Sequence, residues 1–489
     1  MTSPQNTEQL KKSAFSGSLW KFAEQMGIEG VALVVSIVLA RLLTPDEFAP
    51  VGVVNIFFSF GNMLIVGGLN TALIQKKEAD EKDFSSIFTV SLAASVVLYA
   101  LLFFLAPTIA AGYRLPVLTP MVRLYSVSFF LSAAKSVVLA KLSRQLAFRK
   151  IFVAGFGATV LSAAVGVGMA YLGFGAWALV GQQLTNLFVS TLAMCAVGGY
   201  WPRLGFCPKR FGVLFSYGGK MMVASLISTV YEETSPLIIG LRFTGADLSF
   251  YTKGRSFPKL LNSTVTSTLS TVLFPVMSKV QDSRDAVLAM TRRYLQVSSF
   301  LVFPLMAGFF GAAENFVRVL LTDKWLDATV YIQIFCLSYM FNIIQVGNLE
   351  TIKAIGRSDI SLILEVLKKG SYFVVILLFV LFTNSPVMLA VSSIVCTLIA
   401  MVLNTYPNRK LIGYRYRLQV QDLALNFFQS LVMGAAVLAV NLLPWSPVLL
   451  LGLQVLVGVG VYLLLSLIFR NPNLPYLWKV LSSFGKKRS

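Results

Sequence analysis

Apolar residues run along this chain in long blocks separated by short polar connections. The blocks lie near 15–40, 50–74, 86–109, 121–140, 151–172, 176–198, 213–241, 260–279, 294–318, 329–349, 360–382, 386–406, 423–443 and 447–469. A helix needs about 20 mostly apolar residues to cross the hydrocarbon of a bilayer. The pattern therefore predicts an all-α integral membrane protein with about 14 transmembrane helices. The longest connection is about 16 residues, well below the length of a folded domain. The stretch Met1–Ser13 is polar and no small-residue cleavage site follows the first apolar block. That block reads as a retained span and not as a signal peptide. An even number of spans puts both termini on one side.

Composition supports the pattern. Of 489 residues 56% are hydrophobic and only 13% charged, against about a quarter charged in soluble domains. The formal net charge is +20. In a soluble protein that excess would suggest nucleic acid. Here it lies in short clusters between apolar blocks: Lys76-Lys77-Lys82, Lys141-Arg144-Arg149-Lys150, Arg203-Lys209-Arg210, Arg284-Arg292-Arg293, Arg409-Lys410-Arg415-Arg417 and Lys486-Lys487-Arg488. With Met1 inside, roughly 28 basic residues fall inside, about 9 outside and about 4 within spans, so both termini are expected in the cytoplasm. The expected place is a cell membrane, crossed many times, with no nucleic-acid partner.

The chain contains no histidine. Histidine metal sites, histidine bases and Ser-His-Asp triads are excluded together. Cys195, Cys207, Cys336 and Cys396 are far apart and form no C-x-x-C pair. They suggest neither a disulfide framework nor a zinc site, and no cofactor is expected.

A faint repeat organises the first twelve blocks. Ile37–Val53 and Ile238–Gly254 align so that Arg41 meets Arg242 and Asp46 meets Asp247. Each pair lies at the outer end of the first span of a half. Six spans per half give a parallel repeat about an axis along the membrane normal, an arrangement found in transporters. The expected organisation is a six-helix lobe over 1–200, a second over 201–408, and two further helices with a basic tail over 409–489.

Ionisable residues within spans are costly and usually face a bundle interior or a water-filled cavity. Lys21, Glu24 and Glu29 lie in the inner half of the first span, and Lys21, Gln25 and Glu29 share one face by their four-residue spacing. Lys135 lies deep in the fourth span. Lys220, Glu232 and Glu233 lie in the seventh, with Glu232 about 18 Å from Lys220 by the helical rise. Lys21, Lys368 and Lys369 have snorkelling as a competing reading. Glu314 with Arg318, and Glu365 with Lys369, have the spacing of local ion pairs. The eighth span is rich in hydroxyls from Asn262 to Thr271 and is preceded by Lys253 and Arg255. It suggests a polar lumen or a small-residue interface, with a solvated loop as the alternative for the two cations. Lys21, Lys135, Lys220, Lys253 and Arg255 are thus candidates for holding an anionic cargo. Glu24, Glu29, Glu232 and Glu233 are candidates for ion coupling.

Several motifs give the chain a family likeness. They are Ala40-Arg-Leu-Leu-Thr-Pro-Asp-Glu-Phe48, Thr71-Ala-Leu-Ile-Gln75, Gly173-Phe-Gly-Ala-Trp-Ala-Leu179, Leu237-Ile-Ile-Gly240, Tyr251-Thr-Lys-Gly-Arg-Ser-Phe-Pro258 and Phe274-Pro-Val-Met-Ser278. In order and spacing the chain resembles the polysaccharide-exporter branch of the multidrug/oligosaccharidyl-lipid/polysaccharide flippase superfamily, the colanic-acid and teichuronic-acid exporter type. The resemblance implies two six-helix lobes around a central cavity, two C-terminal helices, and alternating access. It implies an undecaprenyl-pyrophosphate-linked oligosaccharide turned from the inner to the outer leaflet for lipopolysaccharide, capsule or exopolysaccharide, and a glycan polymerase of the same pathway as a partner. Lys220, Lys253 and Arg255 match positions that are basic in similar sequences, while Glu232 and Glu233 depart from the pattern.

Two rivals stand beside that reading. A cation-coupled multidrug antiporter of the same superfamily needs an acid in the first lobe, for which Glu24 or Glu29 could serve. A membrane glycan polymerase or ligase needs long outer loops with catalytic groups, and the outer loops here are short.

Overall fold

The structure, a computed structural model, describes residues 27–280, 283–477 and 479. Among them every regular element is helical. They are α1 (27–42), α2 (Pro45–Val66), α3 (Leu69–Gln75), α4 (Glu81–Gly112), α5 (Leu118–Tyr125), α6 (Ser128–Arg144), α7 (Phe148–Tyr171), α8 (Ala176–Gly198), α9 (Pro208–Arg242), α10 (Gly245–Lys279), α11 (Arg284–Phe316), α12 (Ala328–Ala354), α13 (Ser358–Phe382), α14 (Pro386–Leu411), α15 (Tyr416–Ala439) and α16 (Pro447–Ile468). Eleven helical stretches are long and apolar enough to cross a membrane. The expected fourteen are not all met by that measure. The first expected span begins outside the described residues. In α10 the hydroxyl run dilutes the apolar character. In α13 Glu365, Lys368 and Lys369 interrupt it, and Glu365 pairs with Lys368 at 2.7 Å.

The chain divides into two compact units, Met1–Ser249 and Phe250–Ser489. The lobe boundary expected at residue 200 concerns repeated span order; the division at 249 concerns packing. The two differ because α9 packs on α2, α3 and α4.

In the first unit two expected spans are broken. α2 stops before Gly67-Gly68 and resumes as α3, and Gly68 has φ +82°. A Cβ at Gly68 would stand 2.2 Å from the Gly218 carbonyl oxygen of α9. Only glycine permits both that backbone and that approach. The fourth expected span is split into α5 and α6 at Ser126-Val127. Two buried serines of α4, one turn apart, serve the carbonyls near both breaks. Ser91 Oγ donates to Ile65 O at 3.0 Å, and Ser95 Oγ shares its proton between Ser91 O at 2.8 Å and Phe129 O at 3.1 Å. In hydrocarbon such groups have no water to turn to.

The basic end of this unit is knit by charge. Asp83 is fully buried, bonded to Lys76 Nζ at 2.6 Å, and Arg210 reaches Asp80. The Arg144 guanidinium collects the carbonyls of Leu73 and Ile74 at 2.7 and 3.0 Å, capping the last turn of α3. The segment entering α9 is pinned to α4 through Gly205 with Thr89 and through Cys207 N to Ser86 Oγ, each at 3.0 Å. The turn between α7 and α8 explains the Gly173–Leu179 motif. Gly173 and Gly175 have φ of +81° and +54°. A Cβ on Gly175 would sit 2.8 Å from Glu47 Oε1, whose carboxylate closes the capping box with Thr44 at the start of α2.

The start of α10 repeats that chemistry. Thr244 N donates to Asp247 Oδ2 at 3.0 Å and Asp247 N to Thr244 Oγ1 at 3.2 Å. Thr44 to Thr244 and Glu47 to Asp247 are both 200 residues apart, whereas Arg41 to Arg242 is 201. Asp247 therefore plays the part of Glu47, not of Asp46, with which the fixed-offset alignment pairs it.

In the second unit the C-terminal helices are welded to α11. Asp422 of α15 accepts from Arg292 Nε at 2.8 Å and Nη2 at 2.7 Å, Gln296 Nε2 at 2.9 Å and Tyr414 Oη at 2.8 Å. Further along, Asn315 of α11 donates to Asn441 and to Gln454 of α16 at 2.8 and 3.1 Å. Tyr462 Oη reaches the Phe300 carbonyl at 2.9 Å. Beyond α11 a π-turn over Val317–Leu321 leads to Trp325, which is fully buried. The Glu314–Arg318 pair expected from spacing forms at 3.0 Å, and Arg318 also takes Asp323 at 3.1 Å.

The close approach at Gly68 is testable. Gly68→Ala is expected to destabilise the protein by about 1–3 kcal/mol, from strained backbone and contact with α9. The apparent Tm of detergent-purified protein should fall. Gly212→Ala, which has open space around it, should leave it unchanged or raise it slightly. Equal Tm values for the two variants would show that the α3–α9 seam is not tight.

Candidate functional site

The site builds from α9. This helix is buried near its start, at Leu214 and Gly218, and near its end, at Ser235, Pro236, Ile239 and Gly240. No residue from 219 to 234 is buried, a stretch of about 24 Å by the helical rise. Polar residues concentrate on one side of it. Ser225, Ser228, Thr229 and Glu232 follow one another at i, i+3, i+4 and i+7 and so form one stripe. Val223, Leu226, Ile227 and Val230 occupy the opposite side. Glu232 is exposed and belongs to the hydroxyl stripe; Glu233 is half-buried and turns about 100° away. Neither carboxylate is without a partner. Lys220 is exposed and forms no ion pair with another described residue. It lies about 18 Å from Glu232 along the axis and about 120° around it.

The described hydroxyls between 263 and 267 of α10 bond back to their own helix. Thr264 Oγ1 donates to Leu260 O at 2.9 Å and Thr266 Oγ1 to Asn262 O at 2.9 Å. Each hydroxyl spends its proton on its own helix and keeps its oxygen lone pairs for a further donor. Asn262 Nδ2 reaches Asn342 Oδ1 at 3.3 Å, while Asn262 Oδ1 is buried with no hydrogen-bond partner among the described residues. The side chains of 268, 270–276 and 278–279 lie outside the description.

Lys253 and Arg255 occupy a helix and not a loop. They are two residues apart, so their side chains diverge by about 200°. Lys253 is 8% exposed, with its Nζ 5.9 Å from the Trp325 ring centroid. Tyr251 and Phe257 of the same motif are also buried, and Gly254 lies so close to α12 that a Cβ would stand 2.4 Å from Tyr331 Cβ. Much of this motif is core of the second unit. Arg255 is half-exposed. Lys253 and Arg255 therefore do not present a paired cationic rim on one helix face.

Glu29 of α1 and Lys135 of α6 are half-buried, and neither is without a contact partner. Lys21 and Glu24 lie outside the described residues. Among the described residues no group of three or more Cys, Asp or Glu side chains could hold a metal. Cys195, Cys336 and Cys396 are buried and unbridged.

Two sets of polar residues escaped the search for charge. One is the stripe Ser225–Ser228–Thr229, legible as helical spacing leading to Glu232. The other is an amide cluster on α8. Tyr125 Oη donates to Gln183 Oε1 at 2.5 Å, and Asn186 Nδ2 reaches Thr159 and Ser162 hydroxyls at 3.3 and 3.2 Å. Uncharged polar residues give a weak signal inside an apolar block.

Known proteins resemble this chain at three levels. It is 29% identical over 322 residues to the succinoglycan biosynthesis transport protein ExoT of Rhizobium meliloti, an overlap covering 65% of each chain. It is 24% identical to the lipopolysaccharide biosynthesis protein WzxC of Escherichia coli, over 86% of both chains. It is also 24% identical to the teichuronic acid biosynthesis protein TuaB of Bacillus subtilis, over 72% of this chain and 73% of that one. Among solved structures, the lipid II flippase MurJ in an inward closed conformation superposes with a TM-score of 0.75 at 16% identity, covering 93% of this chain and 98% of that one. An inward-facing multidrug resistance MATE transporter superposes with a TM-score of 0.59 at 14% identity, over 78% of this chain and 94% of its own. These structural likenesses show that the chain shares the fold of those two proteins. The family described as polysaccharide biosynthesis protein matches residues 38–330, more than half of the sequence, and the chain belongs to that family.

Proposed function

We propose that the protein is a flippase that moves a lipid-linked anionic oligosaccharide, carried on undecaprenyl pyrophosphate, from the cytoplasmic to the periplasmic leaflet by alternating access. It belongs to a polysaccharide biosynthesis family, and relatives that align over most of its length are named for succinoglycan transport, lipopolysaccharide biosynthesis and teichuronic acid biosynthesis. Three different glycans on one architecture point to a cargo class defined by its lipid-linked pyrophosphate and not by its sugars. The chain is a transporter and not an enzyme.

The observation that carries the mechanism is the unpacked middle of α9. It brings a lysine, a hydroxyl stripe and a carboxylate into the span of one helix where no residue is fully buried. Lys220 would hold the pyrophosphate by charge-assisted hydrogen bonds, with Lys21, Lys135, Lys253 and Arg255 as further cationic candidates. The Ser225–Ser228–Thr229 stripe would meet sugar hydroxyls. Glu232 would titrate with the coupling ion, and Glu24, Glu29 and Glu233 are the other acids within reach of that role. Two six-helix lobes, 1–200 and 201–408, would rock about the cavity, with 409–489 attached to the second. The basic end faces the cytoplasm of a bacterial inner membrane, with both termini there, and a polymerase of the same pathway receives the product outside. The antiporter reading needs no lipid-linked cargo and is favoured only by the fold shared with MATE transporters.

Lys220→Ala is expected to abolish surface glycan in a strain lacking the native copy, while immunoblots show normal protein in the membrane fraction. Normal glycan in that strain would remove Lys220 from the cargo site, and raised resistance to unrelated growth inhibitors on overexpression would favour the antiporter. The two adjacent acids should separate. Glu232→Gln is expected to weaken the dependence of transport in proteoliposomes on an imposed proton gradient, and Glu233→Gln to leave most of it. Retention of the full gradient response in Glu232→Gln would end the coupling role.

A further inference from the structure

Helix α8 carries two amides at mid-depth of its span. Gln183 and Asn186 lie about 10 and 15 Å from the start of a helix about 35 Å long. Both are only half-buried. Phe188 and Leu192, 50% and 39% exposed, mark the lipid side of α8. The two amides stand roughly 120–180° around the axis from them. Their accessible parts therefore open on the interior of the first unit. A polar group exposed there must meet water or a ligand, since hydrocarbon offers it no partner.

The orientation of both amides is fixed from behind. Thr159 and Ser162 of α7 are buried and spend their hydroxyl protons on their own helix, on Gly155 O and Thr159 O, each at 2.9 Å. Towards α8 they can only accept. The Asn186 amide therefore turns its N–H groups to them, at 3.3 and 3.2 Å. Its Oδ1 is left with no donor among the described residues. Gln183 is set the other way. Its Oε1 accepts from Tyr125 Oη, and its Nε2 has no acceptor among the described residues. The two residues are three apart and so are neighbours on one face, with about 5–6 Å between their Cβ atoms. One presents donors and the other an acceptor. Residues of α1 after Gly27 pass at this level. A Cβ on Gly27 would stand 3.4 Å from the Phe156 ring of α7. Thr159 and Ser162 lie one to two turns further along α7, which runs parallel to α1 as the fifth span to the first.

We propose that Gln183 and Asn186 form a saccharide-binding site in the first unit, which takes two neighbouring hydroxyls of the cargo glycan. A sugar hydroxyl both donates and accepts, so a fixed donor beside a fixed acceptor complements a pair of them. The pair carries no charge, which favours sugar over pyrophosphate, whose strong partners are cations. Tyr125, Thr159 and Ser162 already hold the amides in place, so little rotamer freedom is lost on binding. The proposal rests on the reading of the cargo as a lipid-linked oligosaccharide. It adds a sugar contact on a different helix from the hydroxyl stripe of α9.

A strain lacking the protein is expected to accumulate lipid-linked oligosaccharide, from which mild acid releases the free repeat unit without lipid or pyrophosphate. Isothermal titration of that repeat unit into full-length protein in nanodiscs reads the site. Gln183→Met and Asn186→Leu, close to the native side chains in volume, should each weaken binding about three- to tenfold. Tyr125→Phe, which frees Gln183 without removing it, should weaken binding about threefold. The apparent Tm of Gln183→Met should match wild type, which separates lost binding from lost folding. Thr185→Val, on the lipid side of α8 between the two amides, should bind as wild type does. A loss in Thr185→Val equal to that in Gln183→Met would mean that disturbance of α8 governs binding, and would overturn the site. Glycerol at the same concentration should give no heat; binding equal to that of the repeat unit would show indifferent affinity for hydroxyls and also overturn it. A deletion strain that accumulates no lipid-linked oligosaccharide would end the transport reading and this proposal with it. Accumulation followed by unchanged affinity in Gln183→Met would end the saccharide site alone.

Discussion

A backbone carbonyl in hydrocarbon has no solvent to fall back on, and that constraint shapes most of what is distinctive here. A chain of uninterrupted helices would meet it trivially. This chain breaks two of its spans, at Gly67-Gly68 and at Ser126-Val127, and each break must be paid for by a neighbour. Ser91 and Ser95 of α4 serve both, which makes α4 the common support of α2 and α6. Arg144 does the same for the last turn of α3 with a single guanidinium. Breaks, serines and arginine form one arrangement, and removing Arg144 or Ser91 would leave a carbonyl beside a break without its side-chain donor.

The same logic extends to side chains. Asp83 and Asp422 are carboxylates almost without exposure, and each is surrounded by donors. Buried charge is tolerable only when its partners are fixed, so each also fixes its partners. Asp83 holds the loop before α4 and, through Asp80 and Arg210, the start of α9. Asp422 holds α15 against α11 and pulls Tyr414 into the same contact. This explains why the two C-terminal helices pack as part of the second unit and why α9 packs with the first.

Much of the architecture was legible from apolar blocks alone, because in a membrane hydropathy and secondary structure are nearly the same statement. The all-helical class follows directly. The breaks did not show, because Gly67-Gly68 sits inside a block that stays apolar on both sides, and only the close approach of Gly218 reveals its purpose. The span count was less secure where polar and apolar demands compete, as in α10 with its hydroxyls and α13 with its three charges. At the site, charge was easy to find and orientation was not. Lys253 and Arg255 read as a pair in sequence, yet a helix turns them apart and the aromatic ring of Trp325 claims the first. Glu232 and Glu233 read as equivalent, yet only Glu232 continues the hydroxyl stripe of α9. The repeat was visible through Arg41 and Arg242, but its shared chemistry lies in caps built by Glu47 and Asp247, out of step by one residue.

The helix α9 is held at Gly218 and again at Ser235, with nothing buried between. Residues in a packed core cannot change without their neighbours changing too. Residues 223–234 are less bound by that obligation, since none of them is fully buried. Substitutions at its exposed positions alter what the helix offers to a passing molecule at less cost to the fold than substitutions in a packed core. For a lineage whose relatives serve different glycans, that stretch is where sequence can drift toward a new cargo without first losing the protein that carries it.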